Sequence, residues 1–454
     1  MCWTSYQQTL LITCLFFILW LGEEGIKSTK NYLNKNWQEV LIMKKNSSYQ
    51  QSSILLTPQK RLGAKGLILL ISLMGMFIPL SIDLYLPSMP TMTTYFNTTS
   101  SMVNLTLIAF YLFFAVGIII FGPLSDKYGR KPILILCLIL YIIGSLVCAL
   151  SGSIYQLILF RTVQSLGAGG IMAISTALVK DCFVGKLKSN VLAVVQAMGV
   201  IAPMIAPIIG AAILRVAEWR ETFFLLALIG ILTLIASLMF EETLPKSERY
   251  NGSLAGSLMR LLAVGKNVGF SSFLFVAALL AAPYMAYVTI SSYLYQNQFA
   301  LNAQTYSYYF AVNSALAILG PVLYIRSIRK LSARTFSWCC FGVALVSGLC
   351  VLIVGNHSPL IFLISYLPFT IVEGAIRPFS TNILLDQQSE DIGAASSLIN
   401  AIHTILGSIG MALGSFAWSD MIHGLGIIMI SASIISIFVW IILLRNKVTI
   451  KGLI

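Results

Sequence analysis

Four ionisable side chains interrupt otherwise apolar stretches of this 454-residue sequence: Asp83, Arg161, Glu373 and Arg377. A charge near the centre of a bilayer costs at least about 2.5 kcal/mol on insertion scales, so each is expected to face a cavity or a partner. Read as helical positions, Asp83 and Arg161 lie roughly 9 Å and 6 Å below the same membrane face, close enough in depth to meet. A carboxylate in such a place holds a proton or a cation but not easily both, which is the minimal requirement for exchange. Small movements of a neighbouring guanidinium would switch its protonation. Held still, the same pair would only join two helices, and the sequence leaves both readings open. Glu373 and Arg377 are spaced to share one helical face and neutralise each other. Pro368 and Pro378 bracket them and bend that helix, freeing backbone groups toward a cavity. Most of the aromatic run from Tyr293 to Phe310 suits a membrane-interface belt. Tyr284 and Tyr287 lie deeper and are candidates to line an apolar binding cavity.

The elements that must position these groups are membrane spans. Apolar residues make up 58% of the chain and charged residues only 10%, against about a quarter charged in soluble domains. Stretches of about 20 apolar residues, each able to cross a hydrocarbon core, are predicted at 66–89, 102–123, 131–150, 157–179, 190–214, 221–240, 269–295, 305–325, 334–354, 359–385, 391–416 and 423–445. Runs such as Ile133 to Leu150 are continuously apolar, which excludes the alternation of a membrane β-barrel. The fold class predicted is therefore all-α. A polar segment at 241–268 divides a six-helix half at 66–240 from a second at 269–445, with a tail at 446–454. Span 2 ends in Gly122-Pro123 and span 8 in Gly320-Pro321, an internal echo of duplication. Residues 1–65 form an N-terminal extension, with Met43 a second candidate start ahead of a basic segment.

The net charge of +13 does not point to nucleic acid, because its location follows the membrane. Basic residues fill alternate loops: Lys127, Arg130 and Lys131, then Lys180, Lys186 and Lys188, then Lys246 to Lys266, then Arg326 to Arg334. The intervening loops hold only Arg215 and Arg220. The positive-inside rule then places both termini in the cytoplasm, in an inner-membrane, multi-pass protein whose partners are lipid, protons and a small molecule. No phosphate-binding G-x-x-x-x-G-K-[ST] and no H-E-x-x-H is present, and His357, His403 and His423 are not spaced as metal ligands. Neither an enzyme nor a cofactor or metal is expected, and the energy source would be a proton gradient.

The loop after span 2, Gly122-Pro-Leu-Ser-Asp126-Lys-Tyr-Gly129-Arg130-Lys131, resembles the signature loop of the major facilitator superfamily. The resemblance implies a twelve-helix fold in two halves that works by alternating access, with Asp126 and Arg130 latching one state. Arg161-Thr-Val-Gln164-Ser-Leu-Gly167 resembles the family's span-4 motif, whose Arg is linked to proton coupling. The stretch with Ala202, Ala206, Pro207 and Gly210 resembles the span-5 antiporter motif of drug exporters, with Ala at several expected Gly positions. Asp83-Leu-Tyr85-Leu-Pro87-Ser-Met-Pro90, Ser292-Tyr-Leu-Tyr-Gln296, Trp219-Arg220 and Glu242-Thr-Leu-Pro245 are similar to the Bcr/CflA group of drug-resistance exporters. The implied function is proton-coupled export of small amphipathic compounds by a monomer, with Asp83 and Arg161 at the coupling site. Uptake of a nutrient by proton symport is the alternative. Glu373 and Arg377 depart from the uncharged span 10 of that group.

Overall fold

Short polar residues punctuate the apolar runs and start the helices. Side chains of Thr99, Ser153, Asn267, Asn302, Ser332 and Ser358 each accept a hydrogen bond from a backbone N–H in the following turn, satisfying donors a helix start leaves open. The computed structural model describes residues 59–249, 259, 262–328, 330–387, 392–446, 448 and 450. Met43, most of the N-terminal extension, part of the 241–268 segment and most of the tail lie outside the described residues. Twelve helices among them are long and apolar enough to cross a membrane. They are α1 (Gly63–Tyr95), α2 (Ser100–Tyr128), α3 (Arg130–Ala149), α4 (Ile154–Cys182), α5 (Gly185–Ile213), α6 (Arg220–Met239), α7 (Val268–Gln298), α8 (Ala303–Ser327), α9 (Ala333–His357), α10 (Pro359–Leu385), α11 (Ile392–Gly414) and α12 (Met421–Arg445). All belong to one compact unit, Thr57–Ile454.

Packing repeats with a period of six helices. α2 packs on α4 as α8 packs on α10; α3 packs on α4 and α6 as α9 packs on α10 and α12; α1 packs on α5 as α7 packs on α11. The two six-helix halves meet where α5 lies on α8 and α2 on α11. The closest approaches within each half are equivalent too. A Cβ on Gly210 of α5 would lie 1.8 Å from the Leu84 carbonyl oxygen of α1, and one on Gly410 of α11 would lie 1.9 Å from the Ala282 carbonyl oxygen of α7. In lipid, where no hydrophobic drive separates helix from solvent, such close backbone contact is a main source of association.

Three of the helices are broken, and each break lies about one turn before a proline. The first segment of α1 stops at Gly75 ahead of Pro79, that of α7 at Ala278 ahead of Pro283, and that of α8 at Ala317 ahead of Pro321. A proline ring clashes with the carbonyl one turn earlier and donates no hydrogen bond, which interrupts the ladder there. α1 also runs past its expected end at 89, because the 3-10 turn Leu86–Ser88 re-enters helix at Met89–Tyr95. Both Pro87 and Pro90 sit in the first turn of a helix, where a missing N–H costs nothing.

Gly210→Ala is expected to destabilise the protein by about 1–3 kcal/mol, the usual cost of overpacking, because its neighbour is backbone and cannot rotate away. Gly342→Ala, where a Cβ meets nothing within 4 Å, is the control and should be neutral or slightly stabilising. Thermal unfolding of both purified variants checks this; equal melting temperatures would refute the packing argument. A second expectation concerns the end of α12. Asp420 accepts from the Ile422 and His423 N–H groups and from the side chains of Asn356 and Gln298. Partial burial raises the Asp420 pKa, but these hydrogen bonds outweigh it and hold the carboxyl at about 2. Its contribution is therefore present above the unfolded carboxyl pKa of about 3.9 and is lost as pH falls toward 2. Asp420→Asn keeps the cap but loses the charge on its acceptor, and should lower stability by about 1 kcal/mol at pH 5 and above, with the gap to wild type closing only below about pH 4.

Candidate functional site

A cavity of about 840 Å³ opens between the two halves, within the range of small-molecule sites. The N-terminal half contributes Asp83, Tyr111, Met172 and Pro203, and the C-terminal half Tyr284, Met285, Phe310, Arg377, Asn400 and Thr404. The cavity reaches the end of the bundle that carries the basic loops, where Asp126, Arg130, Lys180 and Asp181 line it. At the opposite end the halves are bonded together. Gln296 Nε2 donates to the Pro87 carbonyl at 2.9 Å, Tyr293 Oη to the Met89 carbonyl at 3.4 Å, and Ser101 Oγ to the Ser415 carbonyl at 2.5 Å. One state of a two-ended cavity is therefore on view, closed at one end and open at the basic end.

Asp83 closes the helical segment Phe77–Asp83 and is 5% exposed. Its carboxylate forms no ion pair or hydrogen bond among the described residues. The expected pairing with Arg161 is not made. Arg161 is fully buried and outside the cavity lining; Nη1 donates to Gln164 Oε1 at 2.7 Å and Nη2 to the Ser81 carbonyl at 3.0 Å. Its guanidinium carbon lies 4.2 Å from the Phe110 ring centre, 4.6 Å from Tyr85 and 5.6 Å from Phe223. The physical reason is helix rotation: two residues turn the helix by about 200°, so Arg161 grips α1 on the Ser81 side while Asp83 looks the other way, into the cavity.

On α10 the expected partners interact through their charges but make no direct contact. Glu373 and Arg377 form no ion pair, Arg377 lines the cavity, and Glu373 does not. Of the two tyrosines, only Tyr284 faces the cavity. Tyr287 is 1% exposed and stacked on Tyr366 with ring centres 4.3 Å apart, between Phe310 and Phe362. Ala202 and Ala206 are fully buried on α5, with Pro203 between them in the wall and Gly210 against α1.

At the basic end, Gly129 has φ +106°, open to glycine, and a Cβ there would sit 2.5 Å from Glu242 Oε2. That room lets Glu242 accept from the N–H groups of Arg130 (2.9 Å) and Lys131 (3.1 Å) at the start of α3, where a helix favours negative charge. Arg130 pairs with Asp126 and, through Nε, with Asp181 at 2.8 Å, while Lys131 Nζ donates to the Leu238 carbonyl. The helix start is thus met by Glu242 rather than Asp126, and α2, α3 and α4 are tied together by Arg130. Gly122 lines the cavity wall on α2.

The Major Facilitator Superfamily family model matches residues 71–411. This chain belongs to that superfamily. As a member it is a multi-pass membrane transporter of small molecules rather than an enzyme. It is 29% identical over 366 residues to the uncharacterized MFS-type transporter YdgK of Bacillus subtilis, covering 78% of this chain and 88% of that one. It is 26% identical over 352 residues to a bicyclomycin resistance protein homolog of Haemophilus influenzae, covering 75% and 87%. The fold matches the xylose transporter XylE of E. coli in a partially occluded inward-open conformation, with TM-score 0.65 over 84% of this chain and 96% of that one at 11% identity. Sequence reasoning had quoted Glu242, Gln164 and Gln296 as parts of motifs without assigning them these bonds, and nothing in the pattern marked Asp181, Tyr111 or Asn400.

Arg161→Lys keeps the charge but cannot reach Gln164 and the Ser81 carbonyl together or lie flat among three rings. It is expected to lower stability by about 2–3 kcal/mol, the scale of hydrogen bonds to a charged group. A melting curve coincident with wild type would show that the planar fork is dispensable.

Proposed function

We propose that this transporter exports small amphipathic compounds, antibiotics among them, from the cytoplasm in exchange for protons, with Asp83 as the coupling carboxylate. The observation that carries this reading is an unpaired carboxylate in the wall of a cavity with one end closed. Such a group takes a proton from solvent when the cavity faces one side and gives it up to solvent as a cationic substrate takes its place when it faces the other, so binding of the two is mutually exclusive. The basic end of the bundle is the cytoplasmic one by the positive-inside rule, which makes the open state inward-facing and places both ends of the twelve-helix bundle in the cytoplasm. The protein works as a monomer in the inner membrane. Similarity to a bicyclomycin resistance protein homolog supports efflux over uptake.

Drug susceptibility of a host lacking its own exporters identifies a compound, and everted vesicles with an imposed pH gradient then test coupling. Adding the compound should release protons from wild-type vesicles and accumulate the compound inside. Asp83→Asn should abolish both, while binding to the purified variant persists without the pH dependence of wild type. Full coupling in that variant would sink the carboxylate assignment, and uptake in the same direction as protons would establish symport instead.

A further inference from the structure

Among the described residues, three arginines in or beside the spans are held by other groups, and a fourth inside a span is not. Arg130 pairs with Asp126 and Asp181. Arg161 is bonded to Gln164 and the Ser81 carbonyl. Arg220 donates to Tyr95 and the Ser151 carbonyl and lies against Trp219 at 4.4 Å. Arg377 has no ion pair and no hydrogen bond through its guanidinium among the described residues, and it is exposed to the cavity. Glu373, one turn away on α10, is outside the cavity lining and beyond ion-pair distance, so its charge acts on Arg377 only through space. A guanidinium carried this far into a membrane helix without a structural partner is a donor set awaiting an acceptor.

Its neighbours on the wall fit that role. Arg377 and Asn400 both lie about two turns from the ends of α10 and α11 on the side of the basic loops. Ser396 and Ser397, lower on α11, line the same space and their hydroxyls form no hydrogen bond among the described residues. The N-terminal half presents Asp83 to the same cavity, whose lining mixes the apolar Met172, Met285 and Phe310 with the hydroxyl-bearing Tyr111, Tyr284 and Thr404. Of the charged groups nearer the mouth, Asp126, Arg130 and Asp181 satisfy one another, and Lys180 is exposed at the basic end.

We propose that this site takes amphipathic zwitterions: compounds whose acidic group binds Arg377 in the C-terminal half and whose amine binds Asp83 in the N-terminal half. Arg377 is then a specificity-determining residue, because a guanidinium holds a carboxylate, sulfonate or phosphate through two parallel bonds. This rests on the exporter reading for Asp83 but is tested apart from it, since equilibrium binding in detergent needs neither a membrane nor a gradient.

The probe is norfloxacin, which carries a carboxylate and a secondary amine, compared with its ethyl ester, which keeps only the amine, and its N-acetyl derivative, which keeps only the acid. Binding to the purified full-length protein is followed by quenching of tryptophan fluorescence. Norfloxacin is expected to bind about tenfold or more tighter than either derivative. Arg377→Gln should bring the norfloxacin-to-ester ratio close to one, and Arg377→Lys should restore most of it. Equal affinity of wild type for norfloxacin and its ester, a ratio that survives Arg377→Gln, or no binding of any of the three would overturn the proposal. If Arg377→Gln does not fold, judged by its melting curve, the wild-type comparison of the three probes decides alone. A failure of proton exchange in vesicles, with the binding pattern as expected, would instead remove the exporter reading and leave this one standing.

Discussion

Hydrocarbon cannot solvate an ion, so a charge carried into the membrane must be met by protein groups or by water that the protein admits. The bundle divides its intramembrane charges between those two solutions. Arg161 is met by protein: an amide oxygen, a backbone carbonyl and the faces of three aromatic rings surround it, and no water reaches it. Asp83 and Arg377 are met by the cavity, one from each half. The cavity exists because α1, α7 and α8 are broken by prolines and because glycines draw α5 onto α1 and α11 onto α7. Remove the close contacts and the charged walls lose their placement.

How the charges are met separates scaffold from moving parts. The pairs α1 with α5 and α7 with α11 touch through backbone, which side-chain rearrangement cannot loosen. Contacts between halves, α5 with α8 and α2 with α11, are the ones that must change when the cavity turns to the other face. At the basic end Arg130 binds α2, α3 and α4 into one body, with Glu242 fixing the start of α3. A transporter built from repeated halves rocks one body against the other about a site that stays near the midplane, and these bonds lie inside a body, not across the two.

Much of this was legible in the sequence because it depends on local information. Hydropathy located all twelve spans, and α10 falls on 359–385 as expected. The largest departure is the extension of α1 to Tyr95, where Pro87 and Pro90 stand at helix starts. What the sequence could not convey is rotation. Depth along a helix follows from counting residues, but whether Asp83 or Ser81 faces Arg161 depends on how α1 is turned by its neighbours. The same ignorance misassigned Tyr287, which lies one turn from the cavity residue Tyr284 yet stacks behind it, and it paired Glu373 with Arg377 although only Arg377 turns inward.

Three of the bonds that close the end opposite the basic loops share one property: the acceptors, at Pro87, Met89 and Ser415, are backbone carbonyls, while a fourth runs from Thr93 Oγ1 to Tyr293 Oη at 3.5 Å. When that end opens, each carbonyl exchanges a side-chain donor for a water molecule, and such an exchange changes free energy by only about 0.5–1.5 kcal/mol. The closure is therefore a near-balanced trade with solvent. The acceptor half of these three bonds is also indifferent to the amino acid at those positions, so in them sequence drift acts through the donors Tyr293, Gln296 and Ser101.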